Sequence, residues 1–276
     1  WNLALQQGIG NLSSITLNYV GNHGSNEPIQ NDAINAFSPT PFAGLPAAAP
    51  DPRFGTVTQV VPGGNSNYYG LTVSFSRKMA RSFQRQANYT WSHALDEVSN
   101  GGFLPFNFAT NTSILGPKDP NNIRAFNYGN ADYDIRHYFS LNYVWQVPFS
   151  SVFHWGANQL WQGWTISGTL FTRSGLPFTV IDSAANSTLQ ATNYGGNSSI
   201  LASALAPGVQ ASSCGYLSQC LNPANFSVAT ATPTGFGSQI RNQFRGPTFF
   251  DTDISIIKNT QFPGWERAQL GLGVPA

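Results

Sequence analysis

Residues 71–76 read Leu71-Thr72-Val73-Ser74-Phe75-Ser76, and residues 86–92 read Gln86-Ala87-Asn88-Tyr89-Thr90-Trp91-Ser92. Leu71, Val73 and Phe75 fall on one face and the hydroxyl residues between them on the other. Ala87, Tyr89 and Trp91 likewise stand opposite Gln86, Asn88, Thr90 and Ser92. Successive side chains of a strand point to opposite faces, so a period of two over this length predicts β-strand. The alternation begins at Gln84 and recurs in Phe139–Val147 and Trp164–Leu170. Weaker versions lie at Asn2–Gln7, Ser13–Gly21, Thr252–Asn259 and Arg267–Leu272, so about eight antiparallel strands are expected.

The polar faces of these strands are neutral. Over all 276 residues only 9% are charged, against about 25% in an average soluble domain, while aromatics reach 13%. Thirteen Lys and Arg against twelve Asp and Glu leave a net charge of +1, without the basic surplus that a nucleic-acid binder needs to neutralise phosphates. The aromatic content excludes global disorder, and no apolar run is long enough for a transmembrane helix. Three Glu and three Lys are too few for helical bundles. An apolar face edged with Tyr and Trp, backed by Ser, Thr, Asn and Gln, is the pattern of a membrane β-barrel: girdled band outside, polar lumen inside. A soluble extracellular β-protein, such as a fibre or lectin-like module, is the alternative.

Connection lengths favour the barrel. Gly8–Leu12, Met79–Ser82 and Thr260–Trp265 are short and Phe149–Gln162 moderate, while about 22–67, 93–134 and 182–248 are long. Long structureless loops are uncommon in compact domains. Outer-membrane barrels have short periplasmic turns and long extracellular loops as a rule. On this reading residues 1–276 form a single partial β-barrel domain. Its parity puts both chain ends at the outer face and predicts further strands on both sides. The lone methionine, Met79, and the lack of a legible leader fit an internal or processed piece.

Arg77, Lys78, Arg81 and Arg85 gather at one short turn, as heads reaching the membrane surface or as an ordinary charged hairpin tip. Cys214 and Cys220, six apart in a Ser, Gly and Asn-rich stretch, suit a small loop disulfide in an oxidising compartment and make a poor zinc site. The sequons at Asn11, Asn88, Asn111, Asn186, Asn197 and Asn225 follow from the Asn/Ser/Thr richness of the chain.

No G-x-S-x-G, H-E-x-x-H, P-loop or dinucleotide fingerprint occurs, so no catalytic, cofactor-binding or metal residues are assigned and no enzyme activity is expected. Ser92, His93 and Asp96 are near in sequence, which is not triad geometry. Asp132, Asp134, Arg136 and His137 form the densest charged cluster, read as an ion-paired strand end with a cation site as the alternative.

Asn65–Lys78, followed by Gln86–Asp96, resembles the barrel of TonB-dependent receptors, in particular the Oar-like branch. The resemblance continues through Tyr19–Gly24, Tyr128–His137, Gly163–Gly168, Ser174–Val180 and Arg245–Asn259, in order along most of the chain. It implies a bacterial outer-membrane location and binding of a small scarce substrate at the extracellular loops. It also implies import energised by the TonB complex. The partners implied are outer-membrane lipid, TonB acting through a plug domain, and that unknown substrate; nucleic acid is not among them. The family's N-terminal β-domain, TonB-contacting segment and plug are not within these residues. The stretch Arg267–Ala276 begins like the family's next strand at Arg267 and then diverges from its closing strands. A passive barrel or a surface adhesin is the alternative function.

Overall fold

The computed structural model describes residues 1–31, 34–39, 45–57, 59–80, 82–97, 99, 123–180, 221–227, 239–261 and 269–275. More than half of this is strand. In chain order the strands are β1 (Asn2–Ile9), β2 (Ser13–Asn31), β3 (Gln59–Ala80), β4 (Phe83–Asp96), β5 (Gly129–Asn130) and β6 (His137–Val147). They continue as β7 (Trp164–Arg173), β8 (Pro177–Phe178), β9 (Phe244–Arg245), β10 (Phe249–Gln261) and β11 (Gln269–Pro275). The main sheet runs β1-β2-β3-β4-β6-β7-β10-β11, each strand antiparallel to its neighbours, with β5 attached to β4; β8 and β9 form a separate ladder. All eight alternating stretches in the sequence are strands of this sheet, the last over its described residues from Gln269 on, and it is an all-β antiparallel wall as expected.

The register lines up the apolar positions of neighbouring strands on one face. One row crosses the sheet as Leu5, Leu17, Val73, Tyr89, Phe139, Thr172 and Phe250. Above it stand Tyr19 and Trp91, and toward the short turns Trp145 and Trp164, so aromatic rings edge an aliphatic band on both sides. This face points outward: Leu3 is 61% exposed, Trp91 55% and Phe250 60%. Water would not tolerate so continuous an apolar surface, whereas lipid does. The opposite face carries hydroxyls and amides bonded across strands, as in Ser14–Ser76 (3.0 Å), Thr72–Thr90 (2.9 Å) and Asn88–Ser140 (3.3 Å).

No helix among the described residues is long and apolar enough to cross a membrane. β6, with 11 residues, and β7, with 10, match the roughly 9–11 residues that a tilted strand needs. β2 and β3 are about twice that, at 19 and 22 residues. Residues 22–67, expected as one long loop, are therefore in part a hairpin: β2 continues to Asn31 and β3 starts at Gln59, which leaves 32–58 as the connection. The hairpin projects past Asp96 of β4 by some seven residues, roughly 25 Å at strand rise. Alternation vanishes there, and the backbone ladder is joined by individual side-chain contacts such as the Ser66 hydroxyl to Glu27 Oε1 at 2.6 Å. The ladder itself is irregular, with register shifts at Gly24/Glu27 and Glu27/Pro28, a left-handed Asn26 (φ 57°), and Pro28 facing Pro62.

At the opposite end the β6–β7 connection packs Phe149, Phe153, Trp155, Trp161 and Trp164 with ring centroids 4.7–6.1 Å apart. Gly163 opens β7 at φ 78°, where a Cβ would come within 2.0 Å of the Asn259 carbonyl of β10. Arg77 and Arg85 of the basic turn stand directly opposite each other, and the Arg85 guanidinium lies 5.2 Å from the Phe75 ring and 5.8 Å from that of Phe83. Cys214 and Cys220 lie outside the described residues.

Candidate functional site

Among the described residues, nine polar or charged side chains and six apolar ones are buried, and of these fifteen only Val147 belongs to the short-turn end. Four others, Ile29, Asn35, Ala36 and Ser38, belong to the end of β2 and the residues just beyond it, and the remaining ten gather where the other long connections leave the sheet. There the chain builds a cap from three segments: the top of β4 with the 123–136 connection, the 174–180 segment, and residues 239–245.

Charge holds the cap together. Asp96 (1% exposed) meets Arg241 (4% exposed), whose guanidinium also reaches the Asp96 carbonyl and the carbonyl and hydroxyl of Ser99. The Ser99 hydroxyl donates to Asp96 Oδ1 at 2.7 Å. Asp134 is paired twice, with Arg136 (Nε to Oδ2, 3.0 Å) and with Arg245, while its Oδ1 accepts the Ala94 backbone N–H at 2.6 Å. Arg136 Nη2 further donates to His93 Nε2 at 2.6 Å. Glu97 pairs with Arg124 at 3.2 Å and receives the backbone N–H and side-chain amide of Asn65.

Asn242 stitches the segments. It is fully buried at φ 56°, a left-handed backbone that asparagine tolerates better than most residues. Its Nδ2 donates to the Asn130 carbonyl (2.7 Å) and Asp132 Oδ1 (2.6 Å), and its backbone N–H donates to Thr179 Oγ1 at 2.8 Å. Such a network resists opening, because removing one member of a buried ion pair strands the other in a medium that cannot solvate it.

Of the four clustered residues singled out in the sequence, Asp132, Asp134 and Arg136 join this cap, and Asp134–Arg136 is an ion pair. His137 turns away to the outward face, where its Nδ1 is 2.7 Å from the Tyr89 hydroxyl. Ser92, His93 and Asp96 take separate partners: Ser92 Oγ donates to the Ile135 carbonyl (2.7 Å), His93 meets Arg136, and Asp96 meets Arg241. Arg241, Asn242 and Arg245 were not legible as partners of the cluster. One signal was available: Arg241 and Arg245 are the only Lys or Arg residues in the 174–248 connection.

Two hollows open on the polar face. A groove of about 520 Å³ in mid-wall is lined by Gln84, Gln86, Asn142, Ser167, Thr169 and Asp253, among others. A pocket of about 240 Å³ lies just below the cap, between Tyr68, Thr90, Ser92, Tyr133, Asp134 and Tyr138. Burial, then the Asp96 and Glu27 carboxylates, push the Tyr133 hydroxyl above its ordinary pKa. Five buried atoms near this end have no hydrogen-bonding partner among the described residues: Glu27 Oε2, Asp96 Oδ2, Arg241 Nε, and both Nε2 and Oε1 of Gln239.

Residues 1–272 match the family described as outer membrane beta barrel domain. No curated protein matches the chain. Among solved structures it is similar to the outer membrane transporter YddB from Escherichia coli, at 12% identity and a TM-score of 0.43. That alignment covers 99% of this chain and 27% of the transporter, so the chain spans about a quarter of that protein's length. With the family match over nearly its whole length, and a lipid-type face on every strand of the wall whose side chains are described, the chain belongs to the outer-membrane β-barrel domain family and resides in the bacterial outer membrane.

Proposed function

We propose that this chain is the barrel wall of a TonB-dependent receptor that binds a small substrate at its long-connection end and admits it along the polar face. The carrying observation is the combination of a hydroxyl- and amide-lined inner face with a cap of long connections locked by buried charge. A passive diffusion pore has no evident use for an ion-paired cap beside its mouth, whereas a receptor needs a rigid recognition end. The resemblance of Asn65–Lys78, Gln86–Asp96 and Arg245–Asn259 to the Oar-like branch supports the same reading. In it the energy comes from TonB through a plug domain, the surrounding partner is outer-membrane lipid, and the chain catalyses no reaction.

Conductance across planar bilayers tests the proposal with the full-length gene product. A plugged receptor is electrically silent, and site-specific crosslinking in cells joins it to TonB. A steady open-channel current together with no TonB adduct would overturn the receptor reading in favour of a passive barrel.

A further inference from the structure

The pocket below the cap has an unusual lining for a lumen of hydroxyls and amides. Tyr68, Tyr133 and Tyr138 border it, and among the described residues no lysine or arginine does. Asp134 borders it too, but both its oxygens are engaged, by the Ala94 N–H and by two arginines.

Beside Tyr133 the situation differs. Glu27 folds back over Gly24, where a Cβ would lie 2.3 Å from its Oε1, and that oxygen accepts the Ser66 hydroxyl at 2.6 Å. Ser66 is the direct cross-strand partner of Asp96. Neighbouring strands are roughly 5 Å apart, so the Glu27 and Asp96 carboxylates flank one residue. Among the described residues each keeps one buried oxygen without a partner, Glu27 Oε2 and Asp96 Oδ2, and after burial these two carboxylates raise the Tyr133 pKa most, with Arg241 opposing them. Asp96, Glu97 and Asp134 each have an arginine within ion-pair distance; among the described residues Glu27 has none. A buried carboxylate oxygen facing no donor is costly, and a positive group relieves that cost most directly.

We propose that the pocket between Tyr68, Tyr133 and Tyr138, with Glu27 and Asp96 beside it, binds a small organic ammonium group. Aromatic rings attract an alkylated cation, and a carboxylate alongside adds a charge partner that a neutral molecule of the same shape cannot use. A hard divalent cation wants six or more oxygen ligands, and no group of three acidic, His or Cys side chains able to hold a metal occurs among the described residues. The inference rests on the polar face being a lumen open to solutes, as the receptor reading has it, but it does not require TonB. Binding measured on purified protein therefore fails or succeeds independently of TonB crosslinking.

The test is calorimetric titration of the full-length protein in detergent micelles, at fixed ionic strength. The probes are choline, its uncharged isostere 3,3-dimethyl-1-butanol, and calcium chloride. Choline is expected to saturate at one site, with the alcohol about tenfold weaker or more. Glu27→Gln and Tyr133→Leu each weaken choline about tenfold, whereas Tyr133→Phe, which keeps the ring, leaves it nearly unchanged. Heat-modifiable gel migration checks the folding of each variant, and Glu27→Gln carries the test should Tyr133→Leu not fold. Equal affinity for choline and the alcohol, no saturable choline binding, or choline affinity untouched by Glu27→Gln would overturn the proposal. Calcium saturating the site where choline does not would overturn it as well, in favour of a hard cation.

Discussion

The wall and the cap solve opposite solvation problems within one chain. In the wall the apolar side chains face out and the polar ones in, and its large apolar residues remain open: Leu5 is 60% exposed and Ile256 43%. In the cap the charged side chains are the buried ones, and Asp96, Asp134 and Arg241 are almost sealed. The difference follows from what each region has for solvent. Lipid stabilises the wall from outside, so the wall needs no apolar core of its own. The cap has neither lipid nor a sizeable apolar core, and depends on dense hydrogen bonding and ion pairing, where each lost partner is expensive.

That contrast breaks most visibly at Arg241. Arg241→Ala leaves Asp96 buried without its guanidinium and should cost about 3–5 kcal/mol locally. The loss is expected in the cap alone: amide exchange accelerates at residues 239–245 and 97–99 while heat-modifiable migration of the barrel persists. Loss of both together would mean that cap and wall unfold as one unit. Next in size is Leu17→Arg, in the band between Leu5 and Val73, which should destabilise the wall by about 2–4 kcal/mol in lipid vesicles. The adjacent Thr16→Arg points to the polar face and should cost within about 0.5 kcal/mol, so urea unfolding of the pair measures the sidedness of the wall directly.

A smaller effect sharpens the role of Asn242. Asn242→Ala removes its two side-chain donor bonds and strains a left-handed backbone, for about 1–3 kcal/mol, read as protease sensitivity of the cap. Asn242→Gly relieves only the backbone part and should recover about 1 kcal/mol. Smallest is the hydroxyl pair Thr72–Thr90 on the polar face. Thr72→Val alone should cost about 0.5–1 kcal/mol, and adding Thr90→Val should cost nothing further, because no stranded hydroxyl then remains.

Much of the wall was legible from sequence because lipid on one side enforces a strict period of two. Leu71–Ser76 and Gln84–Ser92 announced their faces, and the structure pairs them, Val73 opposite Tyr89. Legibility stopped where lipid stops. The extended part of the β2–β3 hairpin, with Gly63, Gly64, Pro28 and Pro62, has a loop's composition and is nevertheless strand, held by backbone pairing that leaves no side-chain period. In the candidate site the local half was visible, since Asp134 and Arg136 are two residues apart. The distant half was not, since Arg241 reaches Asp96 across 145 positions.

The sequence alone thus determined the alternating strands of the wall, the side each of their residues takes and the membrane setting, all of which follow from local alternation and composition. The tertiary structure alone decided which carboxylate met which guanidinium, that Asn242 joins three segments, and that Glu27 was left beside Tyr133 with an unpartnered oxygen. Those outcomes depend on how long connections of weak local preference fold onto one another, and ion pairs form between residues by proximity in space, which no period in the chain encodes.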